Sequence, residues 1–375
     1  MRISIHKDVL QLALARVQSI VEKSSIMPIT ANALITAKDR QLTVSATNLE
    51  IGMIAHYNEV TIEKEGTLSV NARKFFEIIR ELPEEVITIT EKENYHIDIT
   101  SNAVRFNIIG LPPEDFPLFF IQDSSAYSTW DAEKIKKMID YTSFSISGDE
   151  TRINIAGAFI EQLEDKKLRM VTTDGYRLSM IEEEPGEPLA VKEGILIPHK
   201  GIIELRKILA DKKEEKDIFI KAIKNSLSIK IGEVELFIRL IEKKFPEYKY
   251  IIPPAGENDL KIKAEKDKIK SALRRMSIIA SENKRPVTFN FKEKKLELTT
   301  EDSELGSVQE SIEQELAVKK GFSFSINGKY FLDILNAVDD DVMMEINATD
   351  KNKPLIFHPL ANTNSTYIIM PMLSE

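Results

Sequence analysis

Ser69–Leu82 reads SVNARKFFEIIREL, and its pattern occurs three times along the chain. The second copy is Leu196–Ala210, LIPHKGIIELRKILA, and the third is Phe324–Val338, FSINGKYFLDILNAV. Each reads as the end of a strand, a basic residue and a short amphipathic helix. With Arg73, Lys200 and Lys329 in register, one variable residue follows, then two apolar residues (Phe75–Phe76, Ile202–Ile203, Phe331–Leu332). An acid comes next (Glu77, Glu204, Asp333), then another apolar residue (Ile78, Leu205, Ile334). The copies lie 127 and 129 residues apart, which divides 375 residues into three units of about 125. A common amphipathic helix can recur by chance, so a second echo matters. Phe245–Pro246 repeats Phe116–Pro117 at a spacing of 129.

Composition sets the limits. A chain of 375 residues suits two or three domains, and 42% hydrophobic with 30% charged residues is ordinary for a globular protein. The absence of cysteine excludes a disulfide scaffold, cysteine-bound zinc, iron–sulfur clusters and a thiol nucleophile, and it fits a reducing compartment. The first residues, MRISIHKDVLQLALARV, have neither the apolar core nor the cleavage site of a signal peptide. No apolar run reaches the length of a membrane span. A net charge of −9 argues, on its face, against nucleic acid.

In chain order, unit one opens with a strand at Arg2–His6 and a helix whose stripe is Val9, Leu10, Ala13, Leu14 and Val17. Strands follow at Ala33–Ala37, Gln41–Ala46 and Ile51–Ile62. After the recurring helix, stopped by Pro83, a meander covers Val86–Thr90, Tyr95–Thr100 and Val104–Ile109. A linker at Ile121–Ser128 leads to a helix over Asp131–Tyr141 with Ile135, Met138 and Ile139 inward. Strands at Arg152–Gln162 and Leu168–Thr173 precede the second recurring helix, and Ile218–Ala222, Ser226–Ile231 and Val234–Leu240 follow it. A second linker, Tyr250–Asp259, leads to a strand at Leu260–Ala264 and a helix over Lys266–Ala280. Strands at Val287–Phe291, Lys295–Thr300 and Ser307–Leu316 precede the third recurring helix; Val342–Ala348, Pro354–Pro359 and Thr366–Met370 close the chain. Two helices and about eight strands per unit predict an α+β fold with antiparallel sheets.

Charge is divided by element type. The six helical stretches together carry +8, which leaves −17 for the rest of the chain. If the helices share a surface, that surface is basic and holds phosphates without reading sequence. Lysine and arginine are also good helix formers on solvated faces, which explains the count without nucleic acid. Catalytic signals are missing. The histidines His6, His56, His96, His199 and His358 are scattered, and no glycine-rich phosphate loop or Gly-x-Ser-x-Gly occurs. Asp339–Asp341 is expected to be a solvated turn rather than a metal site, and Thr172–Gly175, TTDG, a tight turn rather than the seat of a catalytic aspartate. The end of the chain is unusual: Ile368, Ile369, Met370, Pro371, Met372 and Leu373 are apolar where chain ends are ordinarily polar. Pro371 cannot donate to a ladder, so Met372 lies past regular pairing. It forms either one wall of an adaptable groove for peptides or a tucked end of a core strand.

LIPHKGIIEL, VTTDGYRLSM, KKFPEYKYIIP, NARKFFEIIREL and the ending YIIMPML together resemble the bacterial replicative sliding clamp, the β subunit of DNA polymerase III holoenzyme. The resemblance runs from end to end. It implies an α+β fold of three repeated clamp-type domains, at 1–122, 123–253 and 254–375. Antiparallel sheets would lie outside and two helices per domain would line the inner surface of a head-to-tail ring dimer. It implies no catalysis, no cofactor, no metal, no membrane partner and a cytoplasmic location. Its partners would be double-stranded DNA held topologically, the replicative polymerase α subunit and the clamp loader. Other polymerases and repair proteins would bind through short linear motifs. The matching motifs place a peptide pocket at Ile155, Thr173, Gly175, Tyr176, Arg177, Leu178, Pro246, Ile251, Asn327, Tyr330, Met370, Pro371 and Met372, with Arg177 and Asn327 giving polar orientation. The subunit interface would use Lys74, Ile78, Arg105 and Phe106 against Ile278 and Ile279. DNA-facing candidates are Lys23, Arg73, Arg152, Lys200, Arg206, Lys270 and Arg274. Two departures from the family stand out: Tyr176 replaces a frequent histidine, and Leu373, Ser374 and Glu375 follow Met372 where many members place a basic residue. In the loop Val21–Ile26, Lys23 supplies a charge and Ser24 stands near the family's arginine. The rival readings are a repeat scaffold that binds only proteins and a hydrolase using Asp174.

Overall fold

The computed structural model describes residues 1–21, 27–83, 85–117, 126–163, 166–189, 194–212, 214–254, 260–280, 286–292, 295–313, 321–347, 350 and 352–372. Lys23 and Ser24, the tail Leu373–Glu375 and parts of both expected linkers lie outside the described residues. Six α-helices occur among the described residues: α1 (Lys7–Val17), α2 (Ala72–Glu81), α3 (Ala132–Thr142), α4 (His199–Asp211), α5 (Lys266–Ile279) and α6 (Gly328–Ala337). They recur in the two expected places of each repeat, with nine, eight and eight strands per repeat.

Local chemistry explains the helix starts. Asn71 Oδ1 accepts from Lys74 N (3.0 Å) at α2, and Asn327 Oδ1 accepts from Lys329 N (3.0 Å) at α6. The start of α5 is capped from a distance: Asp341 Oδ1 accepts from Lys266 N (2.9 Å). The acidic stretch Asp339–Asp341 is therefore more than a solvated turn, because Asp341 also pairs with Lys263 (3.0 Å) and Asp339 accepts from Tyr141 Oη (3.3 Å). The buried faces match the periodicity: Leu10, Ala13, Leu14 and Val17 on α1; Phe75 and Ile79 on α2; Ile135, Met138 and Ile139 on α3.

The chain packs as two compact units. The first comprises Met1–Glu133, Gly186–Val191 and Lys200–Leu240; the second comprises Lys134–Pro185, Lys192–His199 and Ile241–Glu375. In the first, a five-stranded sheet runs in the order Val60–Lys64, Arg2–His6, Val86–Glu91, His96–Ser101, Val104–Ile109. An eight-stranded sheet runs Ser128–Asp131, Asp217–Ile223, Ser226–Ile231, Val234–Arg239, Ile51–Tyr57, Gln41–Thr47, Asn32–Lys38, Gly66–Asn71. Repeats one and two meet inside that sheet, where Val234 pairs with Ala55 and Ile238 with Ile51.

The second unit repeats the plan. Its eight-stranded sheet runs Ile195–Pro198, Gly157–Gln162, Leu168–Thr173, Arg177–Glu183, Ser365–Ile369, Leu355–Pro359, Val342–Ile346, Leu260–Ala264. Repeats two and three meet where Arg177 pairs with Ile369 and Ile181 with Ser365. A four-stranded sheet runs Gly306–Glu313, Lys295–Asp302, Pro286–Lys292, Phe322–Asn327. All of these pairs are antiparallel.

Three strand expectations change. Ile51–Ile62 is not one strand. It breaks at the exposed pair Asn58–Glu59, and its halves, Ile51–Tyr57 and Val60–Lys64, enter different sheets. The strand expected from Arg152 starts at Gly157, because Ile153–Ile155 winds into a 3-10 turn. Arg177–Glu183 is a strand that the sequence reading passes over, and it carries the seam between repeats two and three.

Candidate functional site

The sequence TTDGYR makes a turn that is closed by its own side chains. Thr173 Oγ1 donates to Arg177 O (2.6 Å) and accepts from Gly175 N (3.0 Å). Asp174 Oδ1 accepts from Tyr176 N (2.9 Å) and Arg177 N (3.1 Å). Gly175 sits at φ +92°, and a Cβ there would lie 2.5 Å from Arg152 Nη2. Arg152 Nη1 donates to Asp174 O (2.7 Å), so this residue, a DNA-facing candidate by resemblance, rests on the turn. The turn leaves Tyr176 63% exposed.

Behind the turn lies an apolar floor. Ile155, Val171, Leu178, Met180, Leu196, Phe245, Tyr248 and Ile368 form one buried cluster, with Phe159, Ile241 and Ile252 at its margin. Phe159 and Phe245 stack at 5.1 Å between ring centroids. The Tyr248 hydroxyl accepts from Arg169 Nη1 (2.8 Å) and donates to Glu161; burial, and then that carboxylate, push its pKa upward. Pro246 and Ile251 flank this segment, partly covered and exposed respectively.

Past Ser365–Ile369 the chain bonds to both repeat two and repeat three. Met370 N donates to Tyr176 O (2.9 Å) and Met372 N to Ser325 O (2.7 Å). Met370 is exposed, while Pro371 and Met372 are partly covered. Met370–Met372 is thus a strap anchored at both ends across the seam. Its methionine side chains supply adaptable apolar surface.

Arg177 is the most heavily bonded residue of the site. Its Nε donates to Asp174 Oδ2 (2.9 Å), Nη1 to Asp333 Oδ2 (2.8 Å) and Nη2 to Phe144 O (2.5 Å). The guanidinium also lies 4.4 Å from the Tyr330 ring centroid, and burial, then the Asp174 charge, raise the Tyr330 pKa. Asn327 uses its side-chain oxygen to cap α6. Both residues expected to orient a ligand are thus engaged within the protein. Asp174, the base of the hydrolase reading, has one oxygen in the turn and the other on Arg177. The sequence reading places Arg152 toward DNA and Asp333 in the recurring motif, and neither at this turn; the cluster members Val171, Met180 and Leu196 escaped it as site residues, with only the strand alternation around them to signal burial.

The remaining candidates divide between the two units. Arg73 on α2 is partly buried, with an Nε that has no hydrogen-bond partner among the described residues. Lys200 and Arg206 on α4 are exposed, and Lys200 lies 4.0 Å from Glu50. On α5, Arg274 is exposed and Lys270 partly so. Of the interface candidates, Lys74 pairs with Glu77 (2.8 Å) and Arg105 with Asp98 (2.5 Å), while Ile78 and Ile279 are partly exposed and Phe106 and Ile278 exposed. Val104–Ile109 and Gly306–Glu313 are each the edge strand of a sheet among the described residues.

Three family models match this chain in succession: the N-terminal domain of the DNA polymerase III β subunit over residues 1–120, its central domain over 129–247 and its C-terminal domain over 249–373. The chain belongs to the DNA polymerase III β subunit family. It is 28% identical to the β sliding clamp of Escherichia coli over 373 residues, covering 99% of this chain and all of that one. The sliding clamp of Bartonella birtlesii bound to griselimycin superimposes with a TM-score of 0.92 at 28% identity, over the whole of both chains. A Caulobacter crescentus clamp structure, in which polyethylene glycol occupies a region thought to tether the β-motif, gives 0.93 at 26% identity, covering all of this chain and 99% of that one. The α+β, three-domain architecture of this family is therefore that of the chain. No helix among the described residues is long and apolar enough to cross a membrane.

Proposed function

We propose that two copies of this chain join head to tail around duplex DNA and tether replication and repair proteins by short linear motifs held in the groove behind the Thr173–Arg177 turn. As a β sliding clamp, the chain is a non-catalytic subunit that gives the polymerase its processivity. The observation that carries the reading is the three-domain match in unbroken order along the whole chain. Domain limits at 1–122, 123–253 and 254–375 follow from the repeat spacing.

Two of the sheets' edge strands, Val104–Ile109 in repeat one and Gly306–Glu313 in repeat three, have no second ladder partner among the described residues and support the closure. Exposed edges otherwise invite non-specific pairing. Phe106 and Ile278 supply apolar surface beside them, with Lys74, Ile78, Arg105 and Ile279 completing the contact. The ring is held on DNA by topology. Lys23, Arg73, Lys200, Arg206, Lys270 and Arg274 give diffuse phosphate contacts that permit sliding, with Arg152 shared between that role and the turn. Polymerase α subunit, clamp loader, other polymerases and repair proteins gain local concentration at the primer end by binding the groove. Ile155 and Leu178 form its floor, Tyr176, Ile251 and Met370 its exposed rim, and Pro246, Tyr330, Pro371 and Met372 its walls. The work is cytoplasmic.

Retention on DNA tests the reading. A clamp loaded onto nicked circular DNA stays bound in high salt and leaves when the circle is cut. Release from the intact circle at the same salt would reject encirclement and leave a scaffold that binds only proteins.

A further inference from the structure

The acid of the recurring motif has a role that the groove and the DNA contacts do not use. In the second copy, Glu204 on α4 is buried and accepts from Ser19 Oγ (2.7 Å), just beyond α1 in the repeat before. In the third copy, Asp333 on α6 accepts from Arg177 Nη1 (2.8 Å), again in the repeat before. The next residue is buried in both, Leu205 and Ile334. The first copy differs. Glu77 has a side chain 52% exposed and, among the described residues, pairs within its own helix, with Lys74 Nζ (2.8 Å); Ile78 is partly exposed. The difference is confined to this side of α2. Phe75 is as fully buried as its counterparts Ile202 and Phe331.

The same comparison selects the donor. α1 and α5 share their spacing: Lys7-Asp8, Ala13-Leu14 and Arg16 correspond to Lys266-Asp267, Ala272-Leu273 and Arg275. Ser19 Oγ, two residues past α1, lies 2.8 Å from Arg16 O, and Ser277 Oγ, in the last turn of α5 and one residue short of the corresponding place, lies 2.8 Å from Arg274 O, so each helix closes near a serine folded back on the preceding turn. Ile278, beside it, is 73% exposed. The stretch Lys266–Ala280 carries +4, the most basic of the six, which complements an acid. We infer that Glu77 fastens the junction between two copies of this chain: its carboxylate accepts a hydrogen bond from the end of α5 of the second copy, with Ser277 as the donor. The inference rests on the head-to-tail pairing proposed above.

Dilution series by analytical ultracentrifugation read it directly. Glu77→Ala raises the dimer Kd about tenfold, the range of one charge-assisted hydrogen bond. Glu77→Gln, which keeps an acceptor oxygen, recovers part of the loss. Ser277→Ala weakens the dimer similarly, and the double variant Glu77→Ala/Ser277→Ala is no weaker than the worse single one, because both remove one bond. Thermal unfolding of the diluted monomer is unchanged in Glu77→Ala. An unaltered Kd in Glu77→Ala, or single effects that multiply in the double variant, would overturn the inference while leaving the pairing intact. A wild-type protein that stays monomeric at every concentration would instead remove the pairing on which it rests.

Discussion

Replacing Arg177 with methionine should destabilise the second unit by about 3 kcal/mol, and the structure supplies the reasons. The substitution removes three hydrogen bonds, two of them to carboxylates, and the stacking on Tyr330. Deleting one member of a buried ion pair costs about 3–5 kcal/mol because the remaining charge is stranded. Here Asp174 and Asp333 keep 16% and 22% of their side-chain surface in water, which sets the value at the low end. The lost cation–π contact adds about 1 kcal/mol, offset in part by the apolar stem of methionine. Arg177→Lys should recover little, since one ammonium cannot serve acceptors spread over three directions. The assay is urea unfolding followed by tryptophan-independent circular dichroism, read together with the affinity for an apolar motif peptide. Unit-two unfolding unchanged within about 0.5 kcal/mol in Arg177→Met would refute the reasoning, because surface substitutions are that mild. So would full stability accompanied by lost peptide binding, which would make Arg177 a ligand contact and not a joint.

Gly175→Ala should cost about 1–2 kcal/mol for the left-handed backbone and displace the Arg152 guanidinium; peptide affinity should fall with it, and isothermal titration will report the change. In the third repeat, hydrogen bonds from Lys292 and then Gln309 hold the Glu297 pKa down to about 2, from an ordinary 4.5. A depressed carboxyl contributes stability that is complete above pH 4.5 and is lost as pH falls through about 2. Acid unfolding of Glu297→Gln should therefore show a shallower loss between those values than the wild type.

The recurring helices and their buried faces were legible because a period of 3.6 and a repeat of about 125 residues are properties of the string itself; the family was legible only through the resemblance of its motifs. Partner choice among strands was not. Val234–Arg239 and Ile51–Tyr57 are far apart in sequence, and alternation says which side of a strand is buried, never which strand lies beside it. The break at Asn58–Glu59 was hidden because the residues on both sides favour strands. The apolar tail and TTDGYR, both singled out in the sequence, are brought together by the hydrogen bond from Met370 N to Tyr176 O. The engagement of Arg177 and Asn327 depends on Asp333, Phe144 and a helix start, contacts that no local pattern encodes. Arg152 illustrates the same limit. An exposed arginine looks alike whether it faces a phosphate or, as here, a carbonyl of a neighbouring turn.

Both long sheets ignore the repeat boundaries, since Val234–Arg239 completes a neighbour's sheet and so does Ser365–Ile369. Thirds of the gene could have multiplied by duplication, yet thirds of the protein are poor building blocks. A truncation ending at a linker would bare a row of hydrogen-bonding groups on each fragment and send the pieces toward precipitation or mutual re-association. Anyone seeking a minimal version of this molecule should cut within loops that interrupt no ladder.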